Sequence, residues 1–361
     1  MAIRLEFEWK IAMSINRQEL LKALETIAPA LAEHDILPVL QHVLFTGTSV
    51  VAYNDRIAIS TPLRGSFKGT IHGKRLLSLL KYSTHTEDVD LVSDGNAVSV
   101  RAESAIGKLE SKPVEEFIFK MPSRPKDAIK ADDKFLKAID DCLQSTSEFS
   151  VNNDHRGVTF IPNGGQVKIF STNGHTMTYC KVGLGLGRER TILPRDFCQE
   201  MLRLGKSAER KQLELRRDSV LFVADDVMLF GKLLQSSQPV PFERTFQRLY
   251  DGKKLIKLSD TQRPRLKVAL DWATTICDIK GNEVKTKIKV HNNTMEFSSA
   301  SDRGQVLDRI PIKHPNVECQ LQASLLRNVY DRYEDILITE ECALMTRDNA
   351  ESIFVASCYQ R

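Results

Sequence analysis

Apolar residues recur at helical spacing in six places along the chain, separated by short alternating segments typical of strands. The first such helix follows Asn16, a residue type that caps helices, and carries Leu20, Leu24 and Ile27 on one face. The order helix, strands, helix, strands occurs three times at a spacing of about 120 residues, which predicts three similar α+β domains, each with two helices packed on antiparallel sheets. The predicted helices begin near Asn16, Lys74, Asp132, Pro194, Pro264 and Ala323.

Two connectors separate the repeats. Residues 121–130 hold two prolines and three basic residues, and residues 238–252 hold Pro239 and Pro241. These connectors predict domains at 1–125, 126–244 and 245–361. The first dozen residues form an extension, an extra strand segment or an alternative start.

The segment Lys168–Cys180 predicts a hairpin that turns at Asn173-Gly174. Asn-Gly accepts the positive φ angles of a tight primed turn. We therefore expect Thr172, His175 and Met177 to be held firmly beside the bend. By itself this hairpin fits a purely structural role.

Total charge does not identify a nucleic-acid binder. The chain has 51 Lys plus Arg against 47 Asp plus Glu, a formal charge of +4 and a pI near 8.6. Any basic surface must therefore be local. For one helix, basic residues opposite the apolar stripe are explained by solvation, but six helices with this pattern favour sequence-independent contact with a phosphate backbone.

The seven cysteines are scattered and form no C-x-x-C pair or zinc-type spacing. They indicate reduced thiols in a cytoplasmic protein with no bound metal. No apolar run approaches the roughly 20 residues of a membrane span, and the N-terminus lacks a signal-peptide core.

Catalytic motifs are also missing from the sequence. His175 near Thr172, or Ser78 with Lys81, could supply a nucleophile and a base, but no G-x-S-x-G, H-E-x-x-H, Walker A or paired-carboxylate pattern accompanies them. The glycines at 183–187 lack the third glycine of a dinucleotide loop, since Arg188 stands there. We predict no catalytic site and no cofactor.

Four runs resemble the beta sliding clamp family of bacterial DNA polymerase III. They are Leu37-Pro38-Val39-Leu40, Thr172-Asn173-Gly174-His175, Ile192-Leu193-Pro194-Arg195 and Lys232-Leu233-Leu234. The resemblance implies a head-to-tail homodimeric ring of six like domains that encloses duplex DNA without sequence preference, with helices lining the hole and sheets outside. It also implies a clamp loader, the replicative DNA polymerase and other proteins with clamp-binding motifs as partners, and no membrane.

The resemblance implies three sets of site residues. The DNA-facing candidates, assigned from helix position and charge, are Arg17, Lys22, Lys74, Lys81, Lys134, Lys137, Arg195, Arg203, Lys206, Arg327 and Arg332. A cleft between the second and third domains, which binds partner peptides in the family, maps to His155, Thr172, Gly174, His175, Met177, Pro241, Phe246, Val355, Cys358 and Tyr359. The subunit interface maps to Ile106, Leu109, Trp272 and Ile276.

The chain departs from the family pattern within the cleft. His155 replaces a leucine, Thr176 replaces an arginine, and the Met-Pro-Met-Arg ending becomes Ser357-Cys358-Tyr359-Gln360-Arg361. The cleft could therefore prefer a different peptide, and core packing is an equal explanation for Met177, Phe246 and Val355.

Two alternatives to the sliding clamp stay open from the sequence. One is a clamp-like protein that recruits partners or acts as a decoy without forming a ring. The other is a small-molecule enzyme that uses the His175 region.

Overall fold

A computed structural model describes residues 13–33, 37–126, 128–185, 189–236, 238–250, 253, 255–277, 285–301, 304–348 and 351–359. The α-helices in these ranges are α1 Arg17–Ile27, α2 Gly73–Tyr82, α3 Asp133–Leu143, α4 Arg195–Gly205, α5 Phe242–Tyr250, α6 Gln262–Cys277 and α7 Ala323–Arg327.

The strands of the same ranges belong to four antiparallel sheets. In chain order they are β1 Met13–Asn16, β2 His42–Thr46, β3 Ser49–Tyr53, β4 Ile57–Pro62, β5 Lys68–His72, β6 Asp88–Asp94, β7 Ala97–Ala102, β8 Ala105–Glu110, β9 Ile129–Lys130, β10 Gly157–Asn163, β11 Gln166–Thr172, β12 Thr176–Val182, β13 Thr191–Pro194, β14 Lys211–Leu215, β15 Ser219–Ala224, β16 Val227–Lys232, β17 Ile256–Lys257, β18 Lys285–His291, β19 Thr294–Ser301, β20 Gly304–Pro311, β21 Val317–Gln322, β22 Asp335–Ile338, β23 Cys342–Arg347 and β24 Ser352–Ser357.

The chain divides into two compact units. The first unit consists of Met1–Ala131 and Glu200–Leu233, and the second of Asp132–Gln199 and Leu234–Arg361. The first unit holds a four-stranded sheet of order β1-β6-β7-β8 and an eight-stranded sheet of order β5-β2-β3-β4-β16-β15-β14-β9. The second unit holds a four-stranded sheet of order β20-β19-β18-β21 and an eight-stranded sheet of order β13-β10-β11-β12-β24-β23-β22-β17.

The threefold repeat extends to strand order. Each predicted domain contributes two groups of four strands, and each eight-stranded sheet combines one group from each of two consecutive domains. The groups join where β16 pairs with β4 (Phe230 opposite Ala58) and where β24 pairs with β12 (Val355 opposite Met177). The fold class, three similar α+β domains, is confirmed, whereas the exact domain boundaries stay a prediction.

Most helices lie where the periodicity predicts them. Asn16 caps α1 by accepting hydrogen bonds from the backbone of Gln18 and Glu19, and Asp132 caps α3 by accepting one from Phe135. α4 begins one residue later than predicted, because Pro194 still belongs to β13.

Two segments, one in the third repeat and one in the connector that leads into it, differ more from the prediction. The expected helix from Ala323 to Arg332 ends as α7 at Arg327, followed by a short 3-10 turn, Tyr330–Arg332. The connector 238–252 was predicted only as a link between the second and third domains, and it contains α5.

The helices pack on the sheets through the predicted apolar stripes. Leu20, Leu24 and Ile27 of α1 are almost completely buried, as are Phe135 and Ile139 of α3. α1 contacts β3 and β4, and α3 contacts β10, β11 and β12. Each helix therefore leaves its polar face away from the sheet behind it.

Candidate functional site

The β11–β12 hairpin forms, but its bend differs from the predicted one. Gly174 has a positive φ of 90°, and no positive φ occurs at Asn173, so the bend is centred on Gly174 and His175. The Asn173 side chain closes it, because Oδ1 accepts hydrogen bonds from the backbone of His175 (3.0 Å) and Thr176 (2.8 Å). Thr172 Oγ1 donates to the Thr176 carbonyl at 2.7 Å, which holds the bend firmly, as predicted.

One face of the eight-stranded sheet in the second unit carries an apolar cluster, which we call the cleft cluster. Met177 and Val355 lie opposite each other on β12 and β24, and Phe246 of α5 packs against the same cluster. The buried members are Phe170, Met177, Phe242, Leu249, Leu337, Cys342, Leu344, Ile353 and Val355. The structure thus brings together three of the apolar residues predicted for the partner cleft.

Helix α5 supplies the aromatic wall of the cleft cluster. The Phe246 ring lies 4.5 Å from the Tyr179 ring and 5.4 Å from the Tyr250 ring, measured between centroids, and all three side chains are half-buried. Burial raises the pKa of Tyr179, so its hydroxyl stays protonated and can donate a hydrogen bond. A ligand at this surface would meet aromatic faces with one polar donor.

A buried carboxylate anchors the chain that leads into α5. Asp154 Oδ2 accepts hydrogen bonds from Ser236 Oγ at 2.5 Å and from the Val240 backbone at 3.2 Å, while Oδ1 pairs with Arg190. Pro241 is exposed at the start of α5, where a missing N–H costs little. The Asp154 contacts therefore fix α5 against the sheet.

Two predicted cleft residues lie around the bend. A Cβ atom at Gly174 would lie 3.8 Å from His155 Cε1, so His155 is next to the bend without blocking it. His155 Nδ1 lies 3.3 Å from Ser150 Oγ. His175 is exposed, and its carbonyl accepts a hydrogen bond from the Ser357 backbone at 2.9 Å.

The C-terminal segment turns away from the cleft cluster. Cys358 is buried in a different apolar cluster, and the Tyr359 backbone donates to the Gln320 carbonyl at 2.7 Å. Lys285 Nζ lies 4.4 Å from the centroid of the Tyr359 ring. Within the described residues, Cys358 and Tyr359 thus contact the β21 side; Gln360 and Arg361 lie outside these residues.

Most of the predicted DNA-facing cations are paired with carboxylates. The pairs are Lys74–Glu33 at 3.5 Å, Lys81–Glu25 at 3.4 Å, Lys134–Glu351 at 3.1 Å, Lys137–Asp348 at 3.4 Å, Arg203–Glu200 at 2.6 Å, Arg327–Asp271 at 3.0 Å and Arg332–Asp140 at 2.5 Å. Lys22 and Lys206 are exposed.

Two of the predicted cations serve local structure. Arg17 is 8% exposed, and its guanidinium donates to the carbonyls of Leu80 (2.9 Å) and Thr86 (3.2 Å). Arg195 is half-buried and donates to the Leu143 carbonyl at 3.2 Å. We therefore leave Arg17 out of the set proposed for DNA contact.

The residues predicted for the subunit interface have different environments. Ile106 is 64% exposed on β8 and Trp272 is 61% exposed on α6, whereas Leu109 is buried within its own unit. The side chain of Ile276 lies outside the described residues. Two further exposed apolar residues, Val268 on α6 and Leu307 on β20, were not among the residues predicted for the interface. Leu307 stands at an outward position of an alternating strand, and this alternation is visible in the sequence.

The two hydroxyls considered for catalysis, Ser78 and Thr172, both donate hydrogen bonds to nearby backbone carbonyls. Ser78 Oγ donates to the Lys74 carbonyl at 2.9 Å, as an ordinary helix hydroxyl does. Six free cysteines are buried, and burial raises the pKa of the Cys142 and Cys198 thiols. Among the described residues, no group of His, Cys, Asp or Glu side chains is placed to hold a metal ion.

The chain resembles bacterial clamps in sequence over most of its length. It is 21% identical over 315 residues to the beta sliding clamp of Haemophilus influenzae, covering 82% of each chain. It is 22% identical over 363 residues to the beta sliding clamp of Pseudomonas aeruginosa, covering 95% of each chain. No protein-family profile matches it.

Solved clamp structures share the fold. The sliding clamp of Pseudomonas aeruginosa bound to griselimycin superposes with a TM-score of 0.82 at 18% identity, covering 97% of this chain and 100% of that one. The DNA polymerase III beta subunit of Thermotoga maritima gives a TM-score of 0.80 at 14% identity, covering 97% and 99%. In the described part of the chain, none of the helices combines the length and apolar content needed to cross a membrane.

Proposed function

Because the chain is a divergent member of the beta sliding clamp family, we propose that it is a DNA sliding clamp. Two copies form a ring around duplex DNA and tether the replicative DNA polymerase, so that the polymerase stays on its template. The protein itself catalyses no reaction. The proposed domains are 1–125, 126–244 and 245–361.

The equivalence of three sheet edges carries the proposal for a ring. Each repeat has eight strands in chain order. Within one chain, the eighth strand of a repeat pairs with the fourth strand of the preceding repeat, as β16 does with β4 and β24 does with β12. The strands equivalent to these, β8 in the first repeat and β20 in the third, end their sheets. Pairing β8 of one copy with β20 of another, twice over, would extend the same rule into a closed head-to-tail dimer.

The proposed grip on DNA is weak and independent of sequence. Lys22 and Lys206 are exposed, and exposed carboxylates balance most of the other proposed cations. Backbone phosphates would compete with these carboxylates, and exposed ion pairs are worth only about 0–1 kcal/mol. Such a surface suits sliding better than tight binding.

The cleft cluster is the proposed docking site for partners. Met177, Phe246 and Val355 line it, with His155, Thr172, Gly174 and His175 at the bend and Pro241 at the start of α5. We propose that an extended peptide of the polymerase or of the clamp loader places apolar side chains there.

Retention on closed and open DNA tests the ring. After loading by a clamp loader, we expect the protein to stay on nicked circular DNA and to leave the same DNA once it is linearised. Equal retention on both forms would indicate ordinary electrostatic binding and contradict the proposal, as would a strict monomer that cannot be loaded.

A further inference from the structure

A pocket of about 390 Å³ lies in the second unit between the first half of α3, the end of β23 and the start of β24. Lys134 and Lys137 line it from α3, and Lys181 lines it from β12. Its volume falls within the range of small-ligand sites in proteins. We call it the α3 pocket.

Positive charge predominates in the α3 pocket. Besides the three lysines, Arg347 lines it, against two carboxylates, Asp348 and Glu351. Arg347 is already bound to the buried Asp141 and is 10% exposed, so it contributes less than a free cation would. The three lysines therefore supply most of the charge that a ligand would meet.

The Lys134 and Lys137 side chains are held in position by weak, exchangeable ion pairs. Lys134 Nζ lies 3.1 Å from Glu351 Oε2, and the two side chains are 73% and 52% exposed. Lys137 Nζ lies 3.4 Å from Asp348 Oδ2, with exposures of 54% and 51%. Exposed pairs of this kind break easily in the presence of a competing anion. The Lys181 backbone donates to the Glu351 carbonyl at 3.0 Å, which holds Glu351 beside β12.

We propose that the α3 pocket binds a phosphate group, with Lys134, Lys137 and Lys181 as its ligands and with Glu351 and Asp348 as competitors for the lysines. A phosphate offers several oxygens to the three lysines that line the pocket from two elements, and lysine binds phosphate well as a point charge. The carboxylates keep the lysines in place when the pocket is empty and weaken binding when it is full. The proposal rests partly on the proposed function, because Lys134 and Lys137 also belong to the DNA-facing set.

Titration of the full-length protein with pyrophosphate tests the pocket without any loaded ring. We expect saturable binding that weakens about fivefold or more in Lys134→Ala and Lys181→Ala and tightens severalfold in Glu351→Gln. Lys289→Ala removes an exposed lysine on β18 and is the matched control, with binding unchanged. Absence of saturable binding, or equal affinities for Lys181→Ala and Lys289→Ala, would overturn the proposal, and so would weaker binding in Glu351→Gln.

A short blunt duplex then identifies the source of the phosphate. If the duplex displaces pyrophosphate, the phosphate belongs to the DNA backbone, and Lys181→Ala should lower the salt dependence of duplex binding by about one unit of slope. If it does not, the pocket binds free polyphosphate; both results support a phosphate site. Retention on nicked circles measures the clamp function separately, so a wild-type protein that binds pyrophosphate but is not retained contradicts the ring and leaves the pocket standing.

Discussion

Asp141 on α3 is a buried carboxylate held by charged and polar neighbours. It is fully buried, its Oδ2 accepts a hydrogen bond from Ser352 Oγ at 2.9 Å and pairs with Arg347, and Arg332 Nη1 lies 3.6 Å from Oδ1. Burial raises the pKa of Asp141, while Arg347 opposes that rise. An ion pair of this kind adds little net stability, but leaving one charge without its partner is costly.

Removing Arg347 alone should destabilise the second unit strongly. We expect Arg347→Met to lower the free energy of unfolding by about 3–5 kcal/mol, and the double variant Arg347→Met, Asp141→Leu to regain most of this loss. Urea unfolding of the single and double variants measures both effects. Arg248→Met is the control, because the Arg248–Glu341 pair, at 3.6 Å, is 67% and 60% exposed. A loss in Arg347→Met no larger than in Arg248→Met would contradict the prediction.

His42 gives the first unit a defined dependence on pH. The ring is buried, its Nδ1 lies 3.3 Å from Thr70 Oγ1, and burial, with the nearby His72, lowers the pKa of His42 to about 4. In the unfolded chain His42 has a pKa near 6.5. Between pH 4 and pH 6.5, therefore, the unfolded chain binds more protons at this residue than the folded protein does. Stability should therefore fall as the pH falls from about 6.5 towards 4, by about 2 kcal/mol after allowance for solvent screening.

A variant isolates this contribution of His42. In His42→Gln, which keeps a polar group beside Thr70, we expect the loss of stability between pH 7 and pH 4.5 to be smaller than in the wild type. Unfolding at the two pH values measures the difference, and NMR titration of the ring gives the pKa directly. A ring that titrates near 6.5 in the folded protein would rule this explanation out.

Sequence patterns located residues better than they assigned their roles. Arg17 was predicted to face DNA because it is basic and opens a helix. It stands one turn before Leu20 and two before Leu24, on the buried stripe of α1, and this spacing could have shown its burial. By contrast, Lys81 pairs with Glu25 across two helices, a contact between distant residues that helical periodicity does not reveal.

At the scale of elements, α5 shows how a local signal can be misread. Pro239 and Pro241 indicated a connector between domains, although proline also suits the start of a helix. Phe242, Phe246, Leu249 and Tyr250 recur at helical spacing and all pack in the cleft cluster. The helices with strong caps and stripes were predicted well, because capping and burial reinforce each other there.

Helix α5 should contribute directly to partner binding. Phe246→Ala removes the ring that contacts Tyr179 and Tyr250, so we expect affinity for a clamp-binding polymerase peptide to fall about tenfold or more. Fluorescence anisotropy with a labelled peptide measures the affinity. Phe149→Ala is the control, because Phe149 is 90% exposed in the loop after α3. Equal affinities in the two variants would show that α5 packs beside the peptide site without forming it.

At the scale of the whole molecule, the threefold repeat was readable from sequence, but the pairing between repeats was not. The spacing of helices and strands predicted three similar domains, yet the pairing of β4 with β16 joins residues about 170 positions apart in the chain. Such long-range pairing depends on edge geometry, which no short segment encodes. The pairing between repeats nevertheless leaves two strands at the ends of their sheets, β8 and β20, and the proposed dimer would join these two strands.

A substitution on β8 should abolish the proposed dimer without changing the affinity for partner peptides. Ile106 is 64% exposed on β8, so Ile106→Lys should leave the fold intact while placing a charge in the proposed β8–β20 contact, where its desolvation is unfavourable. We expect the variant to sediment as a monomer and to lose retention on nicked circular DNA, with its affinity for the polymerase peptide unchanged. Ile118→Lys, at a position 58% exposed outside the strands, should remain dimeric and retained. If both variants stayed dimeric, the proposed contact would be wrong; if Ile106→Lys alone became monomeric yet stayed on circular DNA, the protein would bind DNA without enclosing it.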